Sequence, residues 1–299
     1  MSVVIVNPSS AGGSTAEAWP QIASDLRSHF GPFRVLFTKQ RGDAAALAGG
    51  AAREGAKLII ACGGDGTISE VANGILTAGK DVELGILPSG TGGDFRRTLE
   101  IPSQTRAAAR ILRNGRTVRI DVGRISFTDH DGNEAMRYFL GVASCGMSTK
   151  VIERVKTDRT SFAAALLQTA LHTAPTRLVV QLDDSHERHL VVANLCVANA
   201  RYFGGGMKIA PNAKLTDGKF DIVGIGDLST LKIFTSAPRV YTGSHLSMPE
   251  VSHALARKIT VRAADRAAEV ALEIDGELPG KLPATFQIIP AALRVRCAV

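Results

Sequence analysis

From Val3 to about residue 120, short runs of β-branched residues alternate with longer segments whose apolar positions recur at helical spacing. Val3–Val6, Arg34–Phe37, Lys57–Cys62 and Leu84–Leu87 predict strands. Residues 14–29, Asp43–Arg53 and Thr67–Thr77 predict helices among them. Short apolar strands separated by helices predict an α/β domain with a parallel, doubly wound sheet, because parallel neighbours need a crossover. Ligands of such sheets gather beyond the carboxyl ends of the strands.

After about Arg119 the period changes to strand after strand. The runs are Val118–Phe127, Arg137–Ala143, Leu178–Leu182, Leu190–Ala198, Phe220–Ile225, Lys258–Val261, Val270–Ile274 and Phe286–Ile289. Asp131-Gly132, Asp217-Gly218 and Asp275-Gly276 supply turn signals among them. This half predicts a mostly antiparallel, β-rich domain, interrupted by helices near Thr149–Val155 and Ser161–Thr173. The expected domains are therefore residues 1–120 and 121–299, with the final run Leu293–Val299 a candidate to return to the first. There is no internal repeat and no low-complexity linker.

Composition narrows the classes. A length of 299 residues suits two domains of ordinary size. Hydrophobic residues make up 45% of the chain, yet no apolar run approaches the roughly 20 residues that cross a bilayer. Ser2–Val6 is too short for a signal-peptide core and has no basic flank, so it reads as a first strand and the expected location is cytoplasmic. Cys62, Cys145, Cys196 and Cys297 are widely spaced, with no C-x-x-C pair, and read as reduced core thiols. Lys and Arg exceed Asp and Glu by 35 to 28, a net charge of +7 that favours acidic partners. Nucleic acid is a poor fit, since aromatics are only 5% of the chain and do not interleave with the basic residues.

The strongest chemical signal is Gly63-Gly64-Asp65-Gly66-Thr67, set between a strand and a helix. Glycines let the backbone approach a phosphate closely, and a helix N-terminus offers unpaired N–H groups. Capping of the helix by Asp65 or Thr67 is the simpler alternative, but four special residues in five exceed what a cap needs, and Asp65 suggests a magnesium role. Asn7-Pro8-Ser9-Ser10-Ala11-Gly12-Gly13 and Leu87–Phe95 form two more polar, glycine-rich loops at the same predicted sheet edge. The near-Walker string Gly74–Lys80 is set aside, because Asp81 replaces the needed hydroxyl residue and a helix precedes it. In the second half, Asp275 and Glu277 flank a tight turn, a placement in which one carboxylate accepts a proton and the other orients water or metal.

Taken in order, these motifs resemble the diacylglycerol kinase catalytic-domain family, in its soluble bacterial lipid-kinase branch. The match runs over nearly the whole chain: Asn7-Pro8, Gly63–Thr67, Pro88 to Phe95, Gly204-Gly205-Gly206 with Pro211 and Asp217-Gly218, then Asp275-Gly276-Glu277. The resemblance implies an NAD-kinase-like α/β domain followed by a β-rich domain, with the active site in the cleft between them. It implies ATP- and magnesium-dependent phosphorylation of a lipid hydroxyl such as that of diacylglycerol. Thr38, Gly63, Gly64, Asp65, Gly66, Thr67, Ile68, Ser69, Glu70 and Thr91 would line the ATP site, with Asn7, Ser9 and Gly12 beside the phosphates. Glu277 would be the general base, with Asp65 and Asp275 beside it in the catalytic set. Lys214, Asp217 and Lys219 would form a structural magnesium site of one carboxylate and two backbone carbonyls, linked to the reaction centre through Asp121 and Asp275.

Two positions depart from the family pattern: Gly93 and Ser69 each stand where Asn is usual. A lipid acceptor is met at a membrane surface, and Arg106, Arg110 and Arg113 recur at helical spacing near Arg96, Arg97, Arg116 and Arg119, as a face for anionic headgroups or a solvated helix. Phe162, Leu166, Leu167 and Leu171 make a stripe that reads as core or as the wall of an acyl pocket. Exposed strands in the second half admit a homodimer. NAD kinases and sugar-phosphate kinases also resemble the chain at Gly63–Gly66, but Pro88–Asp94 and Asp275–Glu277 favour the lipid branch over them; a relative that binds without catalysis is the non-enzyme alternative.

Overall fold

A computed structural model describes residues 1–90, 92–158, 165, 168–169, 174–227 and 230–298. The chain divides into two compact units, Met1–Val122 with Pro290–Val299, and Gly123–Ile289.

In the first unit β1 (Ser2–Val6), β2 (Arg34–Phe37), β3 (Leu58–Gly63) and β4 (Glu83–Pro88) pair in parallel in the order β2-β1-β3-β4. The last part of β15 (Glu277–Cys297) adds a fifth parallel strand, with Arg294 opposite Glu83 and Val295 opposite Leu84. β1 and β3 are apolar nearly throughout because Val3–Val6 and Leu58–Cys62 are buried on both faces. The helices are α1 (Ser14–His29), α2 (Asp43–Arg53), α3 (Asp65–Ala78), α4 (Asp94–Thr98) and α5 (Thr105–Asn114). The alanines of α2 let α3 pack tightly: a Cβ on Gly74 would lie 2.2 Å from the Ala45 carbonyl oxygen. Arg296 on β15 grips the buried Glu83 of β4 with two nitrogens, at 2.6 and 2.8 Å, and Thr117 donates to the same carboxylate at 2.5 Å. That buried pair fixes the returning strand.

In the second unit the strands pair antiparallel. One ladder runs β12 (Val251–Ala256), β11 (Phe220–Ile225), β10 (Asn194–Ala198), β7 (Val142–Gly146), β14 (Ala271–Ile274), then the start of β15. Another runs from Ala284–Gln287 of β15 through β13 (Lys258–Ala263) and β8 (Thr176–Leu182) to β9 (Arg188–Val192). β5 (Arg116–Asp129) pairs with β6 (Glu134–Phe139). The core centres on Phe139, stacked on Phe220 at 5.5 Å and edge-on to Phe286 at 6.3 Å. Gly123 makes room for that ring, since a Cβ there would sit 2.1 Å from it. Helices α6 (Met147–Asp158) and α7 (Thr230–Thr242) complete the unit as described.

The architecture is the α/β half and antiparallel β-rich half expected from the periodicity, with local differences. Arg137–Ala143 is not one strand, because the N–H groups of Leu140 and Gly141 turn away to the Asp275 carboxylate and separate β6 from β7. Leu190–Ala198 likewise splits at Ala193, whose N–H donates to Ile225 and whose carbonyl accepts from Met147. Phe286–Ile289 and the run that begins at Leu293 join into one strand, which ends at Cys297. Helix α3 begins at Asp65, two residues before Thr67, so the glycine-rich turn is itself the first helical turn. Helix α7 and strand β12 were not anticipated, the former because Pro238 interrupts its pattern. Of the expected Ser161–Thr173 helix, Ala165, Gln168 and Thr169 are described and helical, while the Phe162, Leu166, Leu167 and Leu171 stripe lies outside the described residues. No helix among the described residues is long and apolar enough to cross a membrane. All four cysteines are free and buried, and burial pushes the Cys62 and Cys145 thiols up to about 12, so they stay protonated and inert.

Candidate active site

The first unit brings three loops together at the carboxyl ends of β1, β3 and β4. Gly64 is the N-cap of α3, and the N–H groups of the following turn have no partner inside the helix. Asp65 is half-buried and holds the next loop: its Oδ2 accepts from the N–H of Gly93 at 2.7 Å and of Asp94 at 3.1 Å, and its Oδ1 from Phe95 at 3.1 Å. It caps α4. Three of a carboxylate's roughly four acceptor positions are therefore engaged by backbone, a structural task that the sequence reading did not assign to this residue. Gly90 lies against Gly64, where a Cβ would come 2.5 Å from the Gly64 Cα, and the Ser89 N–H donates to Gly63 at 3.0 Å. Asn7 closes the assembly, donating from Nδ2 to Thr67 Oγ1 at 3.1 Å and accepting from the Ser9 N–H at 3.0 Å. Thr15 reaches Ser89 Oγ at 2.6 Å. No sequence motif marked Thr15, which joins the site from the first turn of α1.

The other expected nucleotide residues have varied placements. Gly12 is left-handed at φ 69°, inside a tight turn over Ser10–Gly13. Thr38 is buried at the end of β2, its N–H donating to Val6 at 2.9 Å. The Ile68 and Ser69 side chains are buried inward. Glu70 accepts from the N–H groups of Gly42 at 3.1 Å and Ala44 at 3.2 Å, so its carboxylate caps α2. Thr91 lies outside the described residues. Gly93 is left-handed at φ 71°, a conformation that Asn adopts more readily than most residues, so the usual Asn and this Gly suit the same backbone.

In the second unit Asp275 and Gly276 make the hairpin between β14 and β15, both at positive φ, 48° and 83°. The Asp275 carboxylate accepts from the N–H groups of Leu140 at 3.0 Å and Gly141 at 2.9 Å, while Asn199 donates to the Leu140 carbonyl at 3.0 Å. The Gly276 N–H donates to buried Glu273 at 2.6 Å. Glu277, half-buried, follows on this braced turn and pairs with Ile274. Asp121 belongs to the first unit, where it accepts from the Ala291 N–H at 2.8 Å.

Asp217 lies exposed in a turn and accepts from the Lys219 N–H at 3.1 Å. Among the described residues, no group of three His, Cys, Asp or Glu side chains is arranged to hold a metal ion. The all-oxygen set of one carboxylate with the Lys214 and Lys219 carbonyls still fits a hard cation by its chemistry. On α5, Arg106 pairs with Asp25 at 3.0 Å, and beyond it Arg119 pairs with Asp81 at 3.1 Å. Arg110 and Arg113 lie exposed on the same helix.

The parallel strands of the first unit end in glycine-rich turns with backbone N–H groups, and the antiparallel unit carries an acidic hairpin. Residues 1–125 match the model of the diacylglycerol kinase catalytic domain, and residues 141–297 match that of the YegS C-terminal NAD kinase beta sandwich-like domain. The chain belongs to the diacylglycerol kinase catalytic-domain family, a family of lipid kinases. It is 32% identical to a diacylglycerol kinase of Mycobacterium tuberculosis over 268 residues, covering 86% of this chain and 83% of that one. It is 30% identical to a diacylglycerol kinase of Staphylococcus haemolyticus, covering 86% of this chain and 77% of that one. A crystal structure of a diacylglycerol kinase from Bacillus anthracis shares the fold, with a TM-score of 0.74 and 24% identity over 99% of this chain and 96% of that one.

Proposed function

We propose that this protein transfers the γ-phosphoryl group of ATP to the hydroxyl of a glycerolipid such as diacylglycerol. The observation that carries the reading is the hydrogen bonding of three loops, through Asp65, Asn7 and Ser89, into one assembly rich in backbone N–H groups. Phosphoryl transfer has a loose transition state, so alignment and charge neutralisation matter more than covalent chemistry. The Gly64–Thr67 turn and the loops of Asn7–Gly12 and Ser89–Asp94 hold the phosphate oxygens. Asp65 fixes the shape of that grip. Glu277 accepts the proton of the lipid hydroxyl, and Asp275 keeps its hairpin in place. Asp217 with the Lys214 and Lys219 carbonyls would hold a magnesium ion, whose charge would stabilise the local turn. Arg110 and Arg113 meet anionic headgroups where the enzyme reaches its acceptor.

The test is a panel of lipid hydroxyl acceptors, with NAD as the competing acceptor and an enzyme-only blank, each with ATP and magnesium. Labelled phosphate on a lipid supports the reading, and label on NAD alone replaces it with the NAD kinase reading. Glu277→Ala should nearly abolish lipid-dependent ATP consumption while keeping the thermal transition. Full activity in that variant overturns the assignment of the base.

A further inference from the structure

We infer that Thr15 is a positioning residue for the phosphate grip: it holds Ser89 and so closes the three loops into a ring. This rests on the reading that those loops hold the phosphates of ATP. Asn7 joins the loop after β1 to the turn after β3, through Nδ2 to Thr67 Oγ1 at 3.1 Å. Asp65 joins that turn to the loop after β4. Two ties leave the first and last loops free to hinge about the turn between them, and a third fixes the triangle. Helix α1 follows the first loop directly, and its Thr15 Oγ1 lies 2.6 Å from Ser89 Oγ and 3.2 Å from the Ser89 carbonyl oxygen, on the last loop. Thr15 is 0% exposed, and the other buried residues of α1, Ile22 and Leu26, are apolar. A hydroxyl so placed needs a partner, and that partner is Ser89 and not its own helix, whose N-cap is Gly13.

A hydroxyl carries one proton and two acceptor positions. Thr15 gives its proton to the Ser89 carbonyl, so the 2.6 Å contact takes the proton of Ser89; the reverse would leave the carbonyl contact without one. The Ser89 N–H is engaged as well, donating to Gly63 at 3.0 Å. Both donors of Ser89 therefore point into the fold, and its hydroxyl presents only lone pairs to an anion. Ser89 is a brace, not a phosphate donor. It carries Gly90, which packs so closely on Gly64 that a Cβ there would lie 2.5 Å from the Gly64 Cα. A shift at Ser89 moves that contact, and with it the spacing of the two turns that would face the same phosphates.

The test measures binding of ATP with magnesium by calorimetry, and KM for ATP, in Thr15→Val, Ser89→Ala, the double variant and Thr15→Ser. Each of the first two should weaken ATP binding and raise KM for ATP by about tenfold, with KM for the lipid acceptor unchanged. The double variant should lose no more than either single one, because the two hydroxyls act as one pair. Thr15→Ser keeps the hydroxyl and should stay within about twofold of wild type. Unchanged ATP affinity in folded Thr15→Val and Ser89→Ala, with only a lower urea midpoint, overturns the inference, since that is what a purely structural contact gives. Losses that add in the double variant also overturn it, because each hydroxyl then reaches phosphate on its own. Where Thr15→Val fails to fold, Ser89→Ala decides. A wild-type protein that binds ATP and phosphorylates no lipid counts against the kinase reading and leaves the ring standing; one that binds no ATP overturns the grip and the ring together.

Discussion

Asp65 Oδ2 accepts the backbone N–H of Gly93 at 2.7 Å, although the two residues lie on different loops after different strands. Asp94 and Phe95 donate to the same carboxylate. One side chain therefore sets the distance between the turn after β3 and the turn after β4, the two walls that would hold phosphate.

Asp65→Ala removes a cap from α4 and should cost about 1–2 kcal/mol of stability, read from chemical denaturation. It should also raise KM for ATP by about tenfold or more. Asp65→Asn keeps one acceptor oxygen and should fall between the two. An unchanged KM in a folded Asp65→Ala protein would count against the grip.

The Asp275 hairpin predicts a different split. Asp275→Ala leaves the Leu140 and Gly141 N–H groups without their acceptor and places Ala at φ 48°. The expected loss is about 1–3 kcal/mol for the unsatisfied groups. Asn tolerates this backbone and should be milder. Steady-state kinetics should show a lower kcat with KM for ATP kept, since the first-unit loops are untouched.

Glu83 and Arg296 set an acid limb on stability. Burial raises the Glu83 pKa, but the Arg296 and Thr117 hydrogen bonds more than offset this and bring it below the ordinary glutamate value. Stability from this pair is then fully present above that ordinary value and is lost as pH falls through the lowered one. Urea midpoints from neutral pH down to about pH 3 should fall in wild type and fall less in Glu83→Gln. At neutral pH that variant should lose about 3 kcal/mol, the low end for breaking a buried pair, because Arg296 keeps some exposure. An unchanged midpoint at neutral pH would contradict this.

Gly93→Asn should be nearly neutral in both melting and turnover. The left-handed backbone accepts Asn, and the nearest obstacle to a Cβ is the flexible Arg96 side chain at 2.6 Å. Gly93→Val should be clearly destabilising, since a β-branched residue avoids positive φ. Equal effects of the two would show that space, and not backbone conformation, governs this position.

For the arginine face, the double variant Arg110→Glu with Arg113→Glu should lose sedimentation with liposomes rich in anionic lipid. Wild-type sedimentation should fall as salt rises through a few tenths molar. Binding indifferent to both lipid charge and salt would return α5 to a solvated helix.

The sequence by itself determined the two halves and most strands of the first unit. Val3–Val6, Arg34–Phe37 and Leu84–Leu87 are legible because burial on both faces, or a clear apolar run ending at a turn, is a local property. The same holds for the glycine-rich turns, where a tight backbone path needs glycine wherever it occurs. Only the tertiary structure decided what the acidic side chains do. Asp65 meets residues 28 to 30 positions away, Glu70 meets the start of α2, and Asp275 meets a turn more than 130 positions earlier. It also decided that Arg294 pairs beside Glu83, that Leu140–Gly141 breaks a strand, and that Ser89 folds onto Thr15 from 74 positions away. A carboxylate's choice among distant N–H groups leaves no trace in the hydrophobic period, because hydrogen bonding depends on where folding brings the donors and not on the residues beside it.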